Sequence, residues 1–212
     1  MRMQFFPKYG RKVMRMVGHD YAQPGYYSIT MCTQNRVPFF GEIRDGEMHL
    51  NDPGRMVDAY WHRILSKFSN IDLDAHVVMP DHMHAILYFS EAGADPRVRS
   101  FSKSERVPEY DGCVHGVPMG WDIGGACGGG HVGPPLRHFT HLTPRNARSV
   151  SDVIQWFKTV TTNAYICDVK NSGWQSFSWR LWQRSFYDDI VWGKEALWKI
   201  RRYIHNNPKN YG

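Results

Sequence analysis

The sequence predicts an α+β fold: an antiparallel sheet with helices packed on one face. Three observations predict it. Short β-branched and aromatic runs occur in pairs joined by turn signals, at Asp45-Gly46 and at Pro80-Asp81. Apolar residues recur at helical spacing in three other stretches, two interleaved with the hairpins and one closing the chain. Hydrophobic content of 42% across 212 residues is enough for a real core, and no internal repeat is evident.

The elements follow in order. Tyr26 to Thr33, YYSITMCT, has the composition of a strand. Phe39 to Ile43 and Glu47 to Leu50 flank the Asp45-Gly46 turn. Asn51 or Asp52 caps a helix with Pro53 in its first turn, and Met56, Tyr60, Ile64 and Phe68 are its expected core face. Leu73 to Met79 is a strand ended by Pro80, which cannot donate to a ladder, and His82 to Phe89 is the returning strand. A second helix starts at Ser149 or Ser151 and buries Val150, Ile154, Phe157 and Val160-Thr161. Trp182 to Val191 reads as the last strand. Lys194 to Asn207 reads as the last helix, with Leu197, Ile200 and Ile204 buried and Pro208 as its stop. Residues 91–148 differ in kind. They hold 10 of the 19 glycines and few aliphatics, and read as a flexible insertion. Cys113-x-His115 and Cys127-x3-His131 within it fit no standard zinc spacing.

A net charge of +6 and a pI of about 9.2 favour an anionic partner, nucleic acid first. Residues 1–15 carry Arg2, Lys8, Arg11, Lys12 and Arg15 without an acid, and 194–209 carry five cations against Glu195 alone. Four scattered cysteines, no apolar span and no signal peptide read as a reduced cytoplasmic protein without a membrane partner.

Chemistry concentrates at two places. In VVMPDHMHAILYF, His82 and His84 share one face of a strand while Met83 takes the other. Two neutral imidazoles side by side are half of a metal site. Asp81 beside them is a ligand, a partner of a ligand or a turn former, the last by default. His76, on the partner strand, is by default structural. In RRYIHNNPKNYG, Asn207 lies one helical turn after Tyr203, flanked by Arg201 and Arg202. An amide oxygen is a hard ligand suited to Mg²⁺ or Mn²⁺. Between these places, Trp174, Phe177, Trp179, Trp182, Phe186 and Tyr187 are interleaved with Arg180 and Arg184, a pattern able to stack on bases and hold phosphates. At least half of these rings are expected to fill the core.

MPDHMH, followed far downstream by WQRSFYD and RRYIHNNP, resembles the HUH single-tyrosine transposases, in the branch of the REP-associated tyrosine transposases. YAQPGYYSITMCTQNR, FGEIRDGEMHLND and LDAHVVMPDHMH add to the resemblance, which covers nearly all of the chain outside 91–148.

The resemblance implies a ferredoxin-like antiparallel sheet with the HUH motif on a central hairpin strand. Residues 1–90 and 149–212 would be the two parts of one catalytic domain around the insertion. It makes His82 and His84 the metal pair, Asn207 the polar residue that completes the site, and Tyr203 the nucleophile. Gln183 and Arg184, in the shared Trp182-Gln183-Arg184 segment, become candidate DNA contacts, and the charge pattern of the chain itself adds Arg11, Lys12, Arg201 and Arg202 as basic contacts. The implied activity is divalent-metal-dependent cleavage and transfer of single-stranded or hairpin DNA through a 5′-phosphotyrosine link. One departure stands out: relatives commonly carry histidine where this chain has Asp189. That keeps a second function open, a domesticated protein that binds DNA hairpins without cutting. Monomer and homodimer both stay open, as does the choice of metal.

Overall fold

The computed structural model describes residues 23–90, 147 and 149–211. Arg11, Lys12 and almost all of the 91–148 insertion, with its cysteine–histidine pairs, lie outside them. Four strands form the main sheet: β1 (Gly25–Cys32), β4 (Ile71–Val78), β5 (His82–Phe89) and β6 (Tyr187–Val191), in the order β4-β5-β1-β6. Every neighbouring pair is antiparallel. β2 (Gly41–Arg44) and β3 (Glu47–Leu50) form a separate hairpin. Its turn has Asp45 at φ 52° and Gly46 at φ 76°, the pair of positive values that a two-residue hairpin needs.

α1 (Asp52–His62) starts at the Asn51 cap, whose side chain accepts from the Gly54 N–H. The expected stripe is displaced by one residue. Val57 and Trp61 are fully buried, while Met56 and Tyr60 pack only partly against the core. α1 stops at His62 and α2 (Ile64–Lys67) restarts after Arg63, so Ile64 and Phe68 reach the core from a new axis. α3 (Val150–Asn171) is capped by Ser149 and buries Val150, Val153, Ile154, Phe157, Thr161 and Tyr165. α4 (Gly193–His205) ends before Pro208, which opens a short 3-10 turn over Pro208–Asn210.

The antiparallel sheet and the α+β class agree with the sequence, but helices cover both faces of the sheet. α1 and α3 pack on the face of Tyr27, Ile29, Met31, Met83 and Leu87. On the other face Ile86 and Val191 pack with Leu197 and Ile204 of α4. The reason is legible in β5, which is buried along almost its whole length. A strand with two apolar faces needs a cover on each. The last strand is also shorter than its composition suggested. Only Tyr187–Val191 pairs with β1, and Trp182 makes an isolated bridge to Thr33.

One residue joins the described stretches on either side of residues 91–146. Asn70 accepts from the Ser90 N–H through its backbone carbonyl at 3.0 Å. Its side-chain amide exchanges two hydrogen bonds with the Ala147 backbone, at 3.0 and 2.7 Å. Ser90 and Ala147 are therefore held at one point.

Candidate active site

β5 and α4 build the site. His82 and His84 point to the α4 side of the sheet, and Met83, fully buried, points into the opposite core. Both imidazoles are buried and their rings stand edge to face, 4.8 Å between centroids. The register sets their surroundings: Thr30 of β1 pairs with His84, and Cys32 with His82.

Each imidazole is held through its Nδ1. His82 Nδ1 lies 2.6 Å from Asp81 Oδ1. A carboxylate only accepts, so Nδ1 donates and Nε2 is the nitrogen left without this partner. Asp81 is thus a partner of His82 rather than merely a turn former. Its other oxygen takes Arg36 Nε at 2.8 Å. Burial pushes the Asp81 carboxyl up, but His82, Arg36 and the Tyr211 hydroxyl outweigh it and hold the group below the usual carboxylate range. His84 Nδ1 lies 2.7 Å from the Thr30 hydroxyl, which leaves Nε2 facing the Tyr203 hydroxyl at 3.5 Å. Burial, reinforced by His82 and Arg36 and opposed by Asp81, lowers the His84 pKa to about 3. His84 is therefore neutral at physiological pH, as a metal ligand must be. Two oriented imidazoles with paired Nδ1 atoms fit a divalent ion.

Tyr203 is half-buried on α4, with its ring 5.2 Å from that of His84. Asn207 is buried one turn later, at the end of the helix. The predicted basic contacts divide. Arg201 grips Asp74 of β4 with both arms, Nε at 2.8 Å from one oxygen and Nη2 on the other, so its charge ties α4 to the sheet. Arg202 is exposed, with its guanidinium 5.4 Å over the Trp198 ring. Gln183 is half-buried and Arg184 exposed. The Gln183 N–H donates to Cys32 O at 2.9 Å, which brings this segment beside the His82 end of the sheet. Lys158 of α3 fastens it from behind, donating to Gln183 O at 2.9 Å and Ser185 O at 3.0 Å. Of the six interleaved rings, Trp182 is in the core and Trp174, Phe177 and Phe186 pack against it, while Trp179 and Tyr187 are exposed. Asp189 is exposed on β6 opposite Ser28, on the same face as the histidines.

Three residues of the site were not legible in the sequence. Thr30 is brought to His84 by strand register alone. Arg36 reaches Asp81 because Asn35 and Arg36 both adopt left-handed φ, at 57° and 58°. Tyr211 stacks on His82, 6.1 Å between ring centroids and 24° between planes. Burial and the Asp81 carboxylate raise the Tyr211 phenol above its ordinary pKa, which disfavours it as a nucleophile.

A second grouping lies on the other face of the sheet. Asp58, His62 and His76 bring three ligand atoms within 4.8 Å of one another, a set able to hold a metal ion. His76 Nε2 lies 2.8 Å from Asp58 Oδ1. Among the described residues no helix is long and apolar enough to cross a membrane.

Comparison with known proteins gives distant likenesses. No family model matches the chain. A relative from Haemophilus influenzae, named only as an uncharacterized protein, is 26% identical over 205 residues, 93% of this chain and 88% of its own. A solved REP-associated tyrosine transposase bound to a REP hairpin overlays at a TM-score of 0.43 with 15% identity, over 98% of this chain and 75% of that one. A Deinococcus radiodurans crystal structure, provisionally named a transposase, gives 0.40 with 14% identity, over 91% and 97%.

Proposed function

We propose that this chain is a DNA nuclease and strand transferase of the transposase type, acting on single-stranded or hairpin DNA with Tyr203 as nucleophile. The observation that carries the reading is the Tyr203 hydroxyl 3.5 Å from His84 Nε2, beside a second imidazole whose Nδ1 is already bonded. His82, His84 and Asn207 would hold a divalent ion, Mg²⁺ or Mn²⁺. When bound, such an ion polarises the scissile phosphate and stabilises the departing 3′ oxygen.

The chain's own residues supply the rest. Two imidazoles and an amide are neutral, so the site does not cancel the positive charge that an anionic substrate needs. α4 presents the Tyr203 oxygen to the phosphorus. A new O–P bond forms as the P–O3′ bond breaks, the phenol proton goes to solvent, and the 3′ oxygen takes up a proton. The product is a 5′-phosphotyrosine and a free 3′-hydroxyl. Because the phosphodiester energy stays in the adduct, another 3′-hydroxyl can reverse the step without ATP. Arg184 and Arg202, both exposed, would hold phosphates, and the exposed Trp179 and Tyr187 would stack on unpaired bases.

The second reading, a hairpin-binding protein that does not cut, is favoured by one observation. Asp189 puts a carboxylate on the site face of the sheet edge. One assay separates the two. Wild type and Tyr203→Phe are incubated with labelled hairpin-bearing single strands and Mg²⁺ or Mn²⁺, then resolved on a denaturing protein gel. A covalent adduct in wild type that vanishes in Tyr203→Phe supports the enzyme. Metal-independent binding with no adduct supports the binder.

A further inference from the structure

We propose that Asp58, His62 and His76 form a second metal site, for a transition ion of the Zn²⁺ class, that clamps α1 to β4. Asp58 and His62 are four residues apart on α1 and so share one helix face. His76 comes from β4, where the pairing with β5 shifts between Leu73 and His76 and resumes with His76 opposite Ala85. Such a shift re-aims side chains and is frequent beside sites. The three ligand atoms lie within 4.8 Å of one another. Atoms bound tetrahedrally to one ion at about 2.1 Å lie about 3.4 Å apart, so a ligand atom at the 4.8 Å limit needs a contraction of about 1.4 Å. His62 can supply it, because it is exposed and is the last residue of α1 before the chain changes axis at Arg63.

The ligand set decides the ion. Two imidazoles and one carboxylate match a three-ligand set of Zn²⁺ and also suit Fe²⁺, Ni²⁺ and Cu²⁺. Three protein ligands leave positions for water. The side chain of Asp58 is 38% exposed and that of His76 18%, so an ion can enter from solvent. In its absence His76 bonds Asp58 directly, and the same two elements are joined by a weaker link.

This site is separate from the one assigned to DNA cleavage. Ala85 packs with the α1 and α3 core, so His76 opposite it lies on that face, while His84 lies on the other. Binding can therefore be tested with the first site removed. Full-length His82→Ala/His84→Ala protein is titrated with Zn²⁺ by calorimetry, and with Co²⁺ for its visible absorption bands. Adding His62→Ala should remove one equivalent of Zn²⁺ and the matching Co²⁺ bands. Adding Asp58→Asn should weaken the same equivalent by more than about tenfold. Circular dichroism controls for folding, and His62, being exposed, should tolerate the change. Zn²⁺ should also raise the melting temperature only when His62 is intact. Unchanged stoichiometry on His62→Ala, or no Zn²⁺ bound with His62 present, overturns the proposal. Neither result bears on Tyr203.

Discussion

The Tyr203 hydroxyl lies 3.5 Å from His84 Nε2, the nitrogen left over once Nδ1 has met the Thr30 hydroxyl at 2.7 Å. Thr30 therefore settles which ring nitrogen faces Tyr203. Thr30→Val keeps the shape and removes the hydrogen bond. Mn²⁺ affinity should fall by about 10–100-fold, as is typical when the partner of a metal-binding histidine is lost. Calorimetric titration of Mn²⁺ into the Thr30→Val and wild-type proteins measures it. Equal affinity would mean that the ring is oriented by packing alone.

Arg201 and Arg202 are adjacent in sequence but do different work. Arg201 is committed to Asp74 on β4, where the carboxylate is largely buried, whereas Arg202 faces solvent beside Trp198. Arg201→Ala should cost stability, on the order of 1 kcal/mol, and Arg202→Ala close to none. Binding to single-stranded DNA should show the reverse order, with the larger loss and the shallower salt dependence in Arg202→Ala. Urea denaturation and a salt series of binding curves read the two effects separately.

Lys158 gives the fold a dependence on alkaline pH. Burial lowers its amine to about 8 from an ordinary 10.5. Between those values the unfolded chain holds a proton that the folded chain has lost. The unfolded state then binds more protons, so this group's contribution makes stability rise with pH across that window. Below about pH 8 both states are charged, and the cost of burying the cation is fully present. Lys158→Met should flatten the contribution while freeing the carbonyls of Gln183 and Ser185. Urea midpoints of both proteins at pH 7.5 and 10, together with NMR titration of ¹³C-labelled lysines, check the sign.

How far the sequence reads into this structure depends on the range of the interaction. β5 starts and stops where Pro80 and the apolar run place it, and the Asn51 and Ser149 caps are local chemistry. What fails locally is what tertiary packing decides. Met56 and Tyr60 fit helical spacing as well as Val57 and Trp61 do, and only the position of α3 decides which pair is buried. Trp182 to Phe186 has strand composition, but Lys158 and Thr33 hold it as a separate segment. At the site, the H-x-H spacing places His82 and His84 on one face. Thr30 and Arg36 depend on register and on left-handed backbone, which no spacing announces. That His76 meets Asp58 and His62 was not legible either, because those two come from an element whose packing angle the sequence does not carry.

Asp189 offers the sharpest separation between a cutting protein and a binding one. It sits opposite Ser28, one same-face position along β1 from Thr30, so its carboxylate lies on the face of His82 and His84, where the proposed function brings the DNA backbone. An exposed carboxylate there repels phosphate, and the repulsion is screened by salt. Asp189→Asn removes the charge and keeps the shape. Affinity for a hairpin-bearing single strand should rise by about two- to fivefold at low ionic strength, the effect of one surface charge, and the gain should shrink at high salt. Asp189→His should show the same gain in binding. If the position also helps to orient the phosphate for Tyr203, Asp189→His should in addition raise the rate of adduct formation above that of Asp189→Asn. Filter binding across a salt series and single-turnover adduct kinetics read the two quantities independently. Equal adduct rates in the two variants would reduce the position to a matter of charge.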